Sequence, residues 1–313
     1  MSDAERRRFA VPAGTLAESG EALEIGVDLI VPQRAASLLV CVPGGGMLRG
    51  YYDLQAGDGG YSFAAAMAAA GHAVAMLDPL GLGTSSHPAD GFLLHPSVHA
   101  RAIATASSTL AVELGLPAVG VGHSMGGMLV CLAQAEGEPP PFRALALLGA
   151  GPVGLDWAIT DEERGYSHDP ERFAAALEML ARKRYATGYH ELSPAQNRAI
   201  IYGGKGESEA VAALKRVGAP MLAMAATYSL VPGGWAPQAA KIDVPLFLAV
   251  GELDMLSGHD LPRSFPAADD ISLLMLPATG HTHFVFPTVE RLFRRFQHWL
   301  QGVLATGSPE GVK

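Results

Sequence analysis

The chain has 313 residues, 49% of them hydrophobic and only 17% charged. That is enough apolar material for one large core, or a core with a subsidiary cap, and it excludes disorder over most of the length. A formal net charge of -9 excludes a general affinity for nucleic acid or anionic lipid.

The opening MSDAERRRFAVP is charged and runs into no apolar stretch of signal-peptide length. The apolar stretch at 63–70 is far too short to span a bilayer. The expectation is a soluble cytoplasmic protein with no membrane partner. Cys41 and Cys131 each sit in an apolar run and read as buried reduced thiols, with no disulfide framework.

Short apolar runs alternate with longer helical patterns. Strands are expected at 27–31 and 36–42, a helix at 62–70, and a strand at 73–77. A helix at 100–114, a strand at 118–121, a helix at 125–135 and a strand at 144–148 follow. After 242 come strands at 245–250 and 271–276, and an amphipathic helix at 289–304 carrying Leu292, Phe293, Phe296, Trp299 and Leu300 at three- and four-residue steps. Continuous apolar strands separated by helices predict an α/β fold, a mostly parallel central sheet with helices on both faces. Ligand sites in such sheets lie beyond the carboxyl ends of the strands.

The alternation stops at 151–241, which carries helical patterns such as 171–183 and the aromatics Trp157, Tyr166, Tyr185, Tyr189, Tyr202, Tyr228 and Trp235. This segment reads as a helical cap over the active edge of the sheet. The core is then 9–150 with 242–304, and residues 1–8 and 305–313 read as mobile tails.

Gly122-His123-Ser124-Met125-Gly126 places a serine between an expected strand and an expected helix. A tight strand-to-helix turn points its hydroxyl outward, the glycines remove side chains that would collide, and the helix N-terminus supplies positive potential. With Gly127, this segment resembles the nucleophile elbow of the α/β-hydrolase superfamily. Asp78-Pro79-Leu80-Gly81-Leu82-Gly83-Thr84-Ser85 resembles that family's D-x-x-G-x-G-x-S loop. The resemblance covers roughly 25–150 and 242–302.

The resemblance implies an oxyanion hole after the third strand, at Pro43-Gly44-Gly45-Gly46-Met47. Pro43 stands where similar hydrolases carry histidine. The favoured donors are the Gly45 and Met125 N–H groups, with Gly46 as the alternate. The chain order Ser, acid, His leaves only residues after Ser124 as candidates. Gly251-Glu252-Leu253-Asp254 follows a strand, and the family pattern selects Asp254 over its rival Glu252. Pro277-Ala278-Thr279-Gly280-His281-Thr282-His283 follows the last strand, and Gly280-His281 matches the catalytic histidine loop.

His283, two residues on, lines the pocket or packs structurally on this reading. His123, Met47, Trp157, Tyr185 and Trp235 are assigned with it to substrate binding. His87, His95 and His99 read as surface or cap-contact residues. His281-x-His283 without further ligands is weak support for a metal, so no metal and no cofactor are expected.

The expected chemistry is hydrolysis of a carboxylic ester or lactone, a hydrophobic small molecule, through an acyl-enzyme. A serine at the elbow disfavours dehalogenation and epoxide opening, whose enzymes in this family use aspartate there. Thioester or amide hydrolysis, carbon–carbon cleavage and acyl transfer stay open on the same triad. A non-catalytic binding protein of this fold is the reading from a different class, disfavoured because all three triad positions are filled.

Overall fold

The structure is a computed structural model that describes residues 4–193, 206–256 and 258–306. Its strands are β1 (Glu5–Thr15), β2 (Ala22–Val31), β3 (Leu38–Val42), β4 (Ala73–Leu77), β5 (Ala118–His123), β6 (Ala144–Leu148), β7 (Tyr189–His190), β8 (Met221–Leu222), β9 (Leu246–Gly251) and β10 (Ile271–Leu276). Among the described residues eight of them form one sheet, in the order β1-β2-β4-β3-β5-β6-β9-β10. β1 and β2 are antiparallel to their neighbours, and β4, β3, β5, β6, β9 and β10 pair in parallel. Strands β3, β4, β5, β6 and β9 are buried at every position, which is why each is a short apolar run, broken only by His123 at the end of β5.

Helices α1 (Phe63–Ala69), α2 (Pro96–Leu114) and α3 (Met125–Glu136) and the final helix Val289–Thr306 sandwich the sheet. One face packs Ile103, Ala106 and Leu110 of α2 and Leu129 and Leu132 of α3. The other packs Phe63 and Met67 of α1 with Leu292, Phe296 and Leu300 of the final helix. That second face contains a run of rings, with Phe284 stacked between Tyr51 and Phe63 at centroid distances of 4.6 and 5.6 Å. Cys41 and Cys131 are buried free thiols.

The loop after β4 is a charged hub. Asp78 accepts the Arg49 N–H at 2.9 Å and the Thr84 N–H at 3.1 Å, and pairs closely with the Arg49 guanidinium. Arg49 also reaches Asp28 at 2.9 Å, so this buried loop ties β2 and β4 to the segment after β3.

The expected tail at 1–8 is corrected at Glu5–Arg8, which pair with Val31–Asp28 of β2. The first half of this edge strand is charged and largely exposed, and its short apolar stretch at 9–13 is interrupted by Pro12, so it gives no clear strand signal. Arg8 clamps Asp28 in a two-pronged ion pair at 2.7 and 2.8 Å. At the other end, residues 305 and 306 belong to the final helix, while 1–3 and 307–313 lie outside the described residues.

Between β6 and β9 the chain forms the helices Asp161–Arg164, Pro170–Arg184, Ser208–Arg216, Ala223–Leu230 and Ala236–Ala239. The first carries a capping box of Thr160 and Glu163, and the second is capped by Asp169 with Pro170 in its first turn. The two-residue strands β7 and β8 pair antiparallel. Phe173 stacks on Tyr228 at 5.6 Å, joining two of these helices. Tyr202 lies outside the described residues.

Candidate active site

Ser124 links β5 to α3 at φ 51° and ψ −122°, a conformation L residues rarely adopt. Its N–H donates to the Leu148 carbonyl at 2.8 Å, which holds the turn against the end of β6. Gly122 permits the turn, because a Cβ there would collide with the backbone of Gly126 and Gly127. The result aims the serine hydroxyl away from the sheet, with the positive end of α3 behind it.

The Ser124 Oγ lies 2.7 Å from His281 Nε2. His281 Nδ1 lies 2.7 Å from Asp254 Oδ1. A carboxylate oxygen only accepts, so Nδ1 carries the hydrogen and Nε2 is left to accept the serine hydroxyl proton. Burial by itself would raise the Asp254 pKa, but the charge and hydrogen bond of His281, joined by those of His283, hold it well below the usual carboxylate range. Gly149, at φ +61°, leaves room for this pair: a Cβ there would sit 3.0 Å from Asp254 Oδ2 and 3.1 Å from His281 Nδ1. The rival Glu252 is exposed and accepts the Ala278 N–H at 2.8 Å.

The glycine loop after β3 lies beside the serine. Tyr52 Oη sits 2.9 Å from the Val42 carbonyl and 3.1 Å from the Val121 carbonyl, pinning the ends of β3 and β5 from which loop and elbow emerge. Gly45 faces the sulfurs of Met221 and Met125. The Met125 N–H opens α3, where helix geometry provides no acceptor within the helix. Gly46 turns at φ +77°, and its carbonyl accepts the Ala219 N–H at 2.9 Å.

Ser124, Met125, Gly45 and His281 line a cavity of about 710 Å³. Met47, Trp157, Tyr185 and Trp235 line it too. Sequence reading missed Met128, Met221, Met255 and Leu256, which add apolar wall. Met255 and Leu256 follow Asp254 directly, a signal that adjacency offered; nothing in the pattern around Met221 marks it.

Two substrate-binding assignments are corrected. His123 is 0% exposed and outside the cavity wall. Its Nε2–H donates to the His281 carbonyl at 2.8 Å, and its ring packs 4.8 Å from that of His281. Burial, then the neighbouring His281 and His283, push its pKa well down, so it is neutral. His283 is also 0% exposed and outside the wall, with Nε2 3.0 Å from Asp254 Oδ2. His123 is the last residue of β5 and packs among buried groups behind the site, whereas Ser124 stands in the turn that follows and lines the cavity. Of the other histidines, His87 stacks on Tyr189 at 4.2 Å and His95 caps α2, but His99 is buried within the core. Among the described residues no group of three or more His, Cys, Asp or Glu could hold a metal. No helix among them is long and apolar enough to cross a membrane.

The sequence matches the model of the alpha/beta hydrolase family over residues 39–292, well over half the chain, and the protein belongs to that family. Comparison with curated proteins finds no match. Solved structures share the fold at low identity. An esterase from Exiguobacterium antarcticum is 16% identical with a TM-score of 0.63, covering 96% of this chain and 100% of its own. An esterase from Thermogutta terrifontis is 18% identical with a TM-score of 0.58, covering 94% and 99%. A proline iminopeptidase from Mycobacterium smegmatis is 17% identical with a TM-score of 0.59, covering 96% and 100%.

Proposed function

We propose that the protein is a serine hydrolase that cleaves a carboxylic ester or lactone with an apolar acyl part. The observation that carries the reading is the continuous hydrogen-bonded line Ser124–His281–Asp254, with both contacts at 2.7 Å, at the wall of a large cavity. Ser124 Oγ attacks the acyl carbon while its proton passes to His281 Nε2. Asp254 holds the Nδ1–H tautomer and stabilises the imidazolium. The Gly45 and Met125 N–H groups face the developing oxyanion, and loss of one such donor typically costs about 3–4 kcal/mol. His281 returns the proton to the leaving oxygen, which departs as the alcohol and leaves the acyl-enzyme. Water then gives a proton to His281 and attacks the acyl carbon; as the bond to Ser124 Oγ breaks, His281 passes that proton to Ser124 Oγ, and the acid leaves with the free enzyme restored.

The segment 151–241 acts in this reading as a cap that sets substrate choice, since it supplies Trp157, Tyr185, Met221 and Trp235 to the wall. The methionines support a flexible apolar acyl group, because thioether chains adapt to irregular shapes. The test is labelling by a fluorophosphonate with mass-spectrometric mapping, followed by a panel of acyl esters, lactones and thioesters. A single adduct on Ser124 and turnover of esters or lactones are expected. No adduct, or turnover confined to thioesters, refutes the corresponding part.

A further inference from the structure

We propose that His283 is a positioning residue for Asp254: a second imidazole that fixes the rotation of the carboxylate and moderates the charge felt by His281. The proposal rests on the Ser124–His281–Asp254 reading, which by itself requires only one histidine. The His283 and Asp254 side chains are both 0% exposed, and Nε2 of the ring lies 3.0 Å from Oδ2. Because the carboxylate only accepts, this Nε2 bears the hydrogen and the ring is held in one tautomer. The other oxygen, Oδ1, accepts His281 Nδ1–H at 2.7 Å and the Leu256 N–H at 3.2 Å. Both oxygens are therefore engaged. The carboxylate cannot turn about Cβ–Cγ without leaving a buried acceptor unpaired, a costly state.

The loop is built to deliver two rings to one acid. The His283 N–H donates to the His281 carbonyl at 3.1 Å, folding the chain back so that the two imidazoles meet opposite oxygens of Asp254. The His123 Nε2–H donates to that same carbonyl at 2.8 Å.

This arrangement has an electrostatic consequence. Two imidazole N–H groups share one negative charge, so His281 receives less than its full effect. Without the His283 donor, more of that charge falls on the His281 N–H and favours the imidazolium. The acid limb of the pH–rate profile then moves to higher pH. Besides Asp254 and His281, the titratable groups facing His283 are His123, whose ring meets it edge-on at 5.8 Å, and Tyr51, which packs on His123. Both are neutral there, because burial lowers the His123 pKa and raises that of Tyr51.

The experiment compares His283→Gln, which keeps an N–H donor near the Nε2 position, with His283→Leu, which removes it at similar bulk. An activated ester is followed over about pH 5 to 9. The glutamine variant should keep kcat within about threefold and hold the acid limb in place, while the leucine variant should lose about 10–100-fold in kcat with little change in KM. The acid limb of the leucine variant should move up in pH. A leucine variant with wild-type kcat and an unmoved limb overturns the proposal, as does a glutamine variant as impaired as leucine. Should the leucine variant not fold, ¹⁵N NMR of the wild-type protein decides. Hydrogen on His283 Nε2 is expected, and hydrogen on Nδ1 alone overturns the proposal. Fluorophosphonate labelling separates the two levels of inference. An unlabelled wild type removes the Ser124 reading and this proposal with it, whereas a labelled wild type beside an unaffected leucine variant removes this proposal alone.

Discussion

Ala219 donates its N–H to the carbonyl of Gly46 at 2.9 Å, joining the segment between β6 and β9 to the glycine loop beside Ser124. Leu48 N–H reaches back to the Val217 carbonyl at 2.8 Å, and Met47 and Gly218 form the bridge between them. A glycine-rich loop has no intrinsic preference for one conformation. The short antiparallel contact gives it one, and it places the Met221 sulfur over Gly45.

Ala219→Pro deletes that donor at a position already constrained by the following Pro220. If the contact aligns the Gly45 N–H, kcat on an activated ester should fall by about tenfold or more, since a misaligned oxyanion donor costs up to about 10²–10³. KM should change little, and the melting temperature should drop by no more than a few degrees, as expected for about 1 kcal/mol from one hydrogen bond. Unchanged kcat would mean that the loop holds its shape without the strap.

The extent to which this site is legible in the sequence follows from the range of the interactions. Strands β4, β6 and β10 match their expected residues, 73–77, 144–148 and 271–276, because an apolar run flanked by turns marks a strand in this alternating pattern. Strand β1 gives no such clean signal: it opens on Arg6, Arg7 and Arg8, its apolar stretch is broken by Pro12, and its pairing with β2 is what makes it a strand. Ser124, Asp254 and His281 are legible because each stands just after a strand in a recognisable local motif. The bonds His283–Asp254, His123–His281 and Ala219–Gly46 join distant segments, and no local pattern encodes them. His123 stands next to Ser124 in the sequence, yet adjacency carries no information on what surrounds a side chain, and its ring is buried against His281.

Trp157 and Trp235 both line the cavity but differ in burial, at 64% and 1% exposed. Trp157→Ala should alter the ratio of kcat/KM between short and long acyl esters while leaving the melting temperature within about 1–2 °C of wild type. Trp235→Ala should change selectivity and also destabilise by about 3–5 kcal/mol, the usual cost of truncating a buried aromatic. Denaturant titration beside an ester-length series separates the two effects. Equal stability losses would contradict the packing described here.

The protein should lose stability in mild acid. His99 is fully buried, and this burial, with a smaller contribution from His95, lowers its pKa to about 4. The unfolded histidine titrates at about 6.5. Between those values the unfolded chain binds a proton that the folded chain does not, so stability falls as pH falls. Above about pH 6.5 the contribution is fully present; by pH 4 the loss from this one group reaches about 3 kcal/mol. His123 is shifted in the same direction and adds to the slope. Asp254, with its pKa lowered, contributes stability present above the unfolded carboxylate value of about 3.9 and lost as pH falls towards its folded value. Urea midpoints should therefore be flat above about pH 7 and decline below about 6.5, and His99→Leu should flatten that decline. A wild-type midpoint independent of pH in that window would contradict the assignment.

The elbow makes a separate prediction, because Ser124 combines the proposed nucleophilic hydroxyl with a strained backbone. At φ 51° and ψ −122° the residue occupies a region suited to glycine, and such strain costs about 1–3 kcal/mol. Ser124→Ala removes the hydroxyl but keeps the Cβ and therefore the strain. Ser124→Gly removes both, although the greater freedom of glycine in the unfolded chain offsets about 0.5–1 kcal/mol of the gain. Both variants should lose at least about 10⁴ in kcat, the scale on which triad members act. They should differ in stability, with the glycine variant ahead of alanine by about 1 kcal/mol, or roughly 2 °C in melting temperature. Calorimetry on the two inactive proteins makes the comparison without interference from turnover. Equal melting temperatures would limit the strain to the about 0.5–1 kcal/mol that the freedom of glycine offsets, and substantial residual activity in either variant would remove Ser124 as the nucleophile.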